Sequence, residues 1–248
     1  LGSVQTLGRL ACTHRRWADL PLLGLAAVPY DRSLLLTIVD HGAYEPLAAL
    51  LAQTHFVSHA AEDDQLWEGM HTIFHRACAS GNVKVCNALL GSILMLGEGR
   101  GRRGIEVGRW REYDFRGQLP GYTPLHSACR SGCTEVMKWL VERGADWRLT
   151  VQPYDGAGAM TCLHLAALSG CVSACAYLID LGCDINSDAK ELKCFCNRRM
   201  GLTPLYLAVT SGDPQTVSLL LQHGAEVDVT VYEEDGTWLC ERGITPLH

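Results

Sequence analysis

Between Thr123 and Cys133 the chain reads TPLHSACRSGC, which sets a hydroxyl, an imidazole and two thiols within eleven residues. Side chains of these types can bind a soft metal or pair a nucleophile with a base. His126 and Cys129 stand three apart, so on a helix they share a face. A second cluster is richer in thiols: CDINSDAKELKCFCNRR carries Cys183, Cys194 and Cys196, and Cys240 follows further on. Four thiolates are a donor set for a tetrahedral zinc that would staple two loops together. The C-x-C spacing departs from the usual C-x2-C knuckle, so a zinc staple and free thiols both stand as readings. GEGRGRRG is glycine-rich but lacks the Lys-Ser/Thr of a phosphate-cradling loop. No set of nucleophile, base and orienting group stands out, so we expect no catalysis and no cofactor.

The first cluster recurs, which changes its meaning. TIFHRACASG begins at Thr72, TPLHSACRSG at Thr123, TCLHLAALSG at Thr161 and TPLYLAVTSG at Thr203, and TPLH returns at Thr245. A degraded copy, SLLLTIVDHG, begins at Ser33. A glycine falls nine residues after the Thr or Ser in each complete copy, at Gly42, Gly81, Gly132, Gly170 and Gly212. A second falls 21 residues after the Thr in the copies ending at Gly144, Gly182 and Gly224. Phase-locked punctuation of this kind marks a structural repeat. Each unit reads as two short helices. Thr123 caps the first, and Pro124 takes the initial turn, where a missing N–H costs nothing. Leu125, Ala128 and Cys129 form an apolar stripe, and Gly132 ends the helix. Val136, Met137, Leu140 and Val141 give the second helix its buried face, and Gly144 ends it.

T-P-L-H-x-A, the glycine in mid-repeat and the G-A-D ending together resemble the ankyrin repeat, over residues 33–248. The resemblance implies an all-α repeat fold: an ankyrin solenoid of stacked helix-turn-helix pairs with extended β-hairpin fingers. It also implies that His75, His126 and His164 bond the Thr and neighbouring loop backbone. Tyr206 breaks that set, and the first copy, with Leu36 in the His place, has lost it. Asn186 occupies a position that asparaginyl hydroxylases sometimes modify in this family; bonding its own turn is the other reading.

Repeat spacings of 39, 51, 38, 42 and 42 exceed the usual period of about 33. In the last three units the surplus lies between the second helix and the next Thr, which lengthens the finger. RLTVQPYDG (148–156) aligns with DVTVYEEDG (228–236), and alternating apolar residues before Asp-Gly predict strands and tight turns. The insertion 97–121 differs, with seven Gly and six Arg among its 25 residues. It reads as a flexible linker.

Apolar residues make up 48% of the 248-residue chain and charged residues 19%, enough for a sizeable core. A formal charge of −6 supplies no basic field and argues against nucleic acid as partner. The longest apolar runs are about half of the roughly 20 residues a membrane span needs. Twelve cysteines, placed mostly inside apolar helical stretches, read as reduced thiols of an intracellular protein, cytoplasmic or nuclear. The chain opens on Leu1 and stops within the motif GITPLH, as a piece of a longer protein would.

The resemblance implies a scaffold or adaptor whose concave face binds a partner protein, with no small-molecule substrate. Residues the framework leaves free there are Tyr122, Met160 and Leu202 before each Thr, and Arg130, Ser131, Leu168, Ser169, Thr210 and Ser211 before each glycine. Finger residues Tyr154, Tyr232 and Trp238 add aromatic anchors, as does Trp147 unless it packs between fingers. Residues 1–32 form a separate helical segment. Within them LGRLACTHRRWADLPLL (7–23) resembles the closing helices of an F-box, with Leu7, Leu10, Ala11 and Trp17 as its apolar face. That resemblance implies a second reading, the substrate-recognition subunit of a ubiquitin-ligase complex bound to its adaptor. A capping helix for the stack explains the same pattern.

Overall fold

In a computed structural model of the chain, the residues described are 32–51, 64–99, 122–151, 159–189 and 202–228. They contain ten helices and divide between two compact units, Leu1–Glu106 and Val107–His248.

The first unit contains α1 (Arg32–Asp40), α2 (Tyr44–Leu51), α3 (Asp64–Ser80) and α4 (Val83–Gly99). Tight turns join α1 to α2 and α3 to α4, and the two pairs pack with α1 on α3 and α2 on α4. Leu35, Ile38, Leu47, Phe74, Val85 and Leu89 are fully buried between them. Asn82 links the two pairs. Its Nδ2 donates to the Gly42 carbonyl at 2.7 Å, while its Oδ1 accepts from Lys84 N at 3.0 Å. Across the surface, the Arg76 guanidinium forks onto both carboxylate oxygens of Asp40, with Nε donating to Oδ1 at 2.7 Å. Such an exposed pair contributes no more than about 1 kcal/mol.

Two boundaries depart from the expected units. Thr72 lies well inside α3 and caps nothing. Ile73 stands where Pro124 and Pro204 follow their Thr, and residues 64–71 continue the helix upstream with no proline to stop it, so the helix does not start at Thr72. Likewise α4 runs to Gly99, so the first residues of the 97–121 segment are helical and not linker. The apolar run LLGSILMLG carries the helix through them.

The described residues of the second unit form three helix pairs: α5 (Pro124–Arg130) with α6 (Thr134–Glu142), α7 (Cys162–Leu168) with α8 (Val172–Asp180), and α9 (Pro204–Ser211) with α10 (Pro214–Gln222). The inner helices α5, α7 and α9 pack in a row, and the outer helices α6, α8 and α10 form a second row. Ala128, Ala166 and Ala208, all fully buried, let the inner backbones come close.

Each inner helix starts as its sequence dictates. Thr123 is extended (φ −96°, ψ 163°), and its Oγ1 accepts from His126 N at 3.4 Å. His126 returns the bond: its Nδ1 lies 2.7 Å from Thr123 Oγ1 and 3.3 Å from Thr123 N. Its Nε2 lies 3.0 Å from the carbonyl of Leu149, beyond the second helix. A carbonyl can only accept, so Nε2 carries the hydrogen and Nδ1 is the acceptor. Thr161 and His164 repeat the arrangement at 2.8 Å, with Nε2 2.8 Å from the Leu202 carbonyl. In the third pair, Thr203 still caps Tyr206 N at 3.3 Å, but Tyr206 offers no such return.

The finger bases are closed by backbone pairing. Val151 and Met160 exchange antiparallel hydrogen bonds of 2.9 and 2.7 Å, and Ala189 N donates to Leu202 O at 3.2 Å. The tips at 152–158 and 190–201, and residues 229–248, lie outside the described residues, as does the F-box-like stretch 7–23.

All eight phased glycines have positive φ, between 63° and 89°. Gly132 has a second reason to be glycine. A Cβ there would stand 2.9 Å from Cys171 Cβ of the next pair, whereas one at Gly144 meets nothing within 4 Å. Both Gly132→Ala and Gly144→Ala should incur the left-handed strain of roughly 1–2 kcal/mol. Gly132→Ala should add an overpacking cost of roughly 1–3 kcal/mol, because Cys171 Cβ belongs to an anchored helix start. Urea denaturation of the two variants checks this; equal losses would contradict it.

Burial pulls the His164 pKa below its ordinary value, although hydrogen bonding to Leu202 and Ser187 carbonyls and nearby Asp188 and Asp184 oppose it. The unfolded chain therefore takes up a proton that the folded chain resists, once pH falls below about 6.5. Stability is full above that value and is lost on acidification. Thermal melts should show a falling midpoint between pH 7 and 5.5, with a shallower fall in His164→Asn.

Candidate protein-binding face

The repeat framework uses the Thr, Pro, His and Gly positions and the small residue of each inner helix. What it leaves over falls in register. Seven residues after each capping Thr stand Arg130, Leu168 and Thr210, and all three are exposed. They occupy the C-terminal ends of α5, α7 and α9, which pack side by side. Leu168 is 40% exposed, as is Val209 beside Thr210. Arg130 is the one Asp, Glu, Lys or Arg in these three helices.

The next position holds Ser131, Ser169 and Ser211. Ser169 Oγ donates back to Ala166 O at 2.7 Å, Ser211 Oγ to Ala208 O at 2.8 Å, and Thr210 Oγ1 to Leu207 O at 2.8 Å. These hydroxyls finish helix ends, which accounts for small hydroxyl residues recurring before the glycine.

Other expected face residues stand elsewhere. Tyr122 and Met160 are each 7% exposed, so neither presents its side chain to a partner. The Tyr122 ring meets the edge of His126 at 6.2 Å, and Met160 is held in the bridge to buried Val151. Met160 precedes its capping Thr in the pairing that closes the finger base, which folds it inward. Leu202 is half-buried and acts through its carbonyl, which receives His164 and Ala189. Tyr154, Tyr232 and Trp238 lie outside the described residues. Trp147 is half-buried under the Arg148 guanidinium, 4.4 Å from its ring centre.

Two interactions between successive pairs went unread in the sequence. Cys171 directly follows the phased Gly170, and its Sγ donates to the Gly132 carbonyl at 3.2 Å. Asn186, expected to bond its own turn, instead spans to the next one. Its Oδ1 accepts from Glu226 N at 2.9 Å, and its Nδ2 donates to Gly224 O at 3.3 Å. Asp184 takes the local role, accepting from Asn186 N at 3.0 Å. One signal was available: Asn82 and Cys171 both follow a phased glycine, and both bond the glycine carbonyl of the preceding copy.

The thiols behave as core. Cys78, Cys86, Cys129, Cys162 and Cys175 are fully buried and free of disulfides. Burial pushes Cys129 well up, and pushes Cys175 and Cys183 up to about 12, whereas a hydrogen bond from Cys129 draws its neighbour Cys162 down to about 5. A protonated thiol is a poor metal ligand. Among the described residues no group of three or more His, Cys, Asp or Glu side chains is placed to hold a metal. Cys194, Cys196 and Cys240 of the expected zinc set lie outside those residues. Among the described residues no helix is long and apolar enough to cross a membrane.

Comparison with known proteins bears on the repeat. A family model described as ankyrin repeats (3 copies) matches residues 31–151, 94–189 and 148–232. A crystal structure of the human ASB11 ankyrin repeat domain is similar at 25% identity and a TM-score of 0.52, covering 79% of this chain and 71% of that one. None of the curated proteins matches the chain. Ankyrin repeats are in general protein-interaction modules and typically carry no enzymatic activity. The phased glycines, the Thr–His caps and the family match agree: the chain belongs to the ankyrin-repeat family.

Proposed function

We propose that the chain is a protein-interaction scaffold or adaptor that binds its partner along the inner helices of the second unit. The observation that carries this reading is the register of Arg130, Leu168 and Thr210: exposed side chains, one per inner helix, of which only the Thr210 hydroxyl is tied to its own helix end. Aliphatic surface of this kind costs free energy in water and is released when a partner covers it, at about 25 cal/mol per Å². An exposed Arg next to it supplies orientation, and interfaces draw heavily on Arg. The outer face also carries an exposed aliphatic, Leu221 at 42%, but α10 has no charge beside it and Arg143 is spent over the Trp139 ring at 4.2 Å.

Site-specific photo-crosslinking tests the reading. A photoreactive amino acid at Leu168 or Thr210, with the chain expressed in cells, should yield discrete protein adducts. The same residue at Gln215 or Ser218, exposed on outer helix α10, should yield few. Adducts of equal yield and pattern from both faces would move the binding face elsewhere.

A further inference from the structure

The row on the inner helices has a chemistry that specifies its occupant more narrowly than "a protein", provided that this row is the binding face. Arg130 is exposed, and among the described residues no carboxylate pairs with it. In a chain of net charge −6 this is an unneutralised cation on a face that is otherwise uncharged. One helix along stands Leu168, 40% exposed, and beyond it Val209, exposed to the same degree. The Thr210 hydroxyl is engaged with Leu207 O at 2.8 Å, which leaves its methyl group as the part not already bonded. The sequence of surfaces is therefore cation, aliphatic, aliphatic.

The spacing follows from packing. α5 lies against α7 and α7 against α9, and packed helices stand roughly 8–10 Å apart. An extended chain advances about 3.3 Å per residue, so it crosses one helix in about three residues. We propose that this face takes an extended acidic–aliphatic peptide segment. Its Asp or Glu carboxylate bonds the Arg130 guanidinium, and an aliphatic side chain about three residues away seats against Leu168 and Val209. Guanidinium and carboxylate match as a fork, and aliphatic cover beside the pair excludes water and strengthens it. A basic segment would set like charges together, and a nucleic acid would meet one cation in a chain of net negative charge.

The test is selection from a random-peptide phage library on the immobilised full chain, followed by fluorescence anisotropy of the enriched peptides. Wild type should enrich peptides with Asp or Glu about three residues from Leu, Ile, Val or Met. Arg130→Glu should weaken those peptides by at least about tenfold, the loss of one charge-assisted contact. Leu168→Ser should weaken them comparably, and Arg130→Lys should recover part of the binding. These side chains are exposed, so melting midpoints should match wild type and separate lost binding from lost folding. Enriched peptides without the acidic–aliphatic pattern, or unaffected by Arg130→Glu, overturn this inference while leaving the protein-binding reading in place. A helical pattern, with the two residues about six apart, overturns the extended form. A wild-type chain that enriches no peptide removes both.

Discussion

The fold of the second unit depends on a buried imidazole held between two hydrogen bonds. His126 and His164 each take a Thr hydroxyl on Nδ1 and give Nε2–H to a carbonyl beyond the second helix of the pair. That one ring joins a helix start to the base of a finger more than twenty residues away. A buried polar ring with either nitrogen unpaired costs about 1–3 kcal/mol, so the geometry is tightly enforced. Once the Thr is fixed as N-cap, the proline, the apolar stripe and the left-handed glycine follow in phase. The small Ala at each interior position then allows the next inner helix to approach.

This framework determines what remains for function. Positions tied to the cap, the core or the turn cannot vary without cost, and they include most residues that look reactive in the sequence. Cys129 fills core space, and its thiol is held protonated by burial. The row of Arg130, Leu168 and Thr210 lies on the last turn of each inner helix, past the reach of the imidazole and before the glycine. Their side chains are carried on close-packed helices and stay exposed there. A scaffold of this kind separates stability from recognition, so surface identity can differ from repeat to repeat.

Much of the scaffold was legible because it is written in backbone chemistry. Glycine at a fixed phase means a left-handed residue wherever the chain goes, and Thr followed by Pro means a helix start. Thr72 shows the limit: where the helix already runs in from Asp64, the same Thr sits mid-helix. Tyr122 and Met160 were misplaced because their burial depends on tertiary contacts, the His126 ring for one and the finger-base pairing with Val151 for the other, which sequence spacing does not encode. Asn186 was misassigned for a related reason. Asn in a turn bonds locally in most contexts, and only stacking of the next pair brings Gly224 and Glu226 within reach. Val209 escaped notice because Cys129 and Ala167, its counterparts in the preceding copies, are fully buried. Residue type alone gives no sign that the third copy exposes this position.

The second unit stands on His126 and His164 as ties between helix start and finger, each with its hydrogen on Nε2. Long-range ¹H–¹⁵N correlation spectra of the imidazoles at neutral pH test these ties directly. Both rings should show a hydrogen on Nε2, an unprotonated Nδ1 and slow exchange of the Nε2 hydrogen with water. Rings that carry the hydrogen on Nδ1, or that exchange it as freely as an exposed histidine, would contradict it.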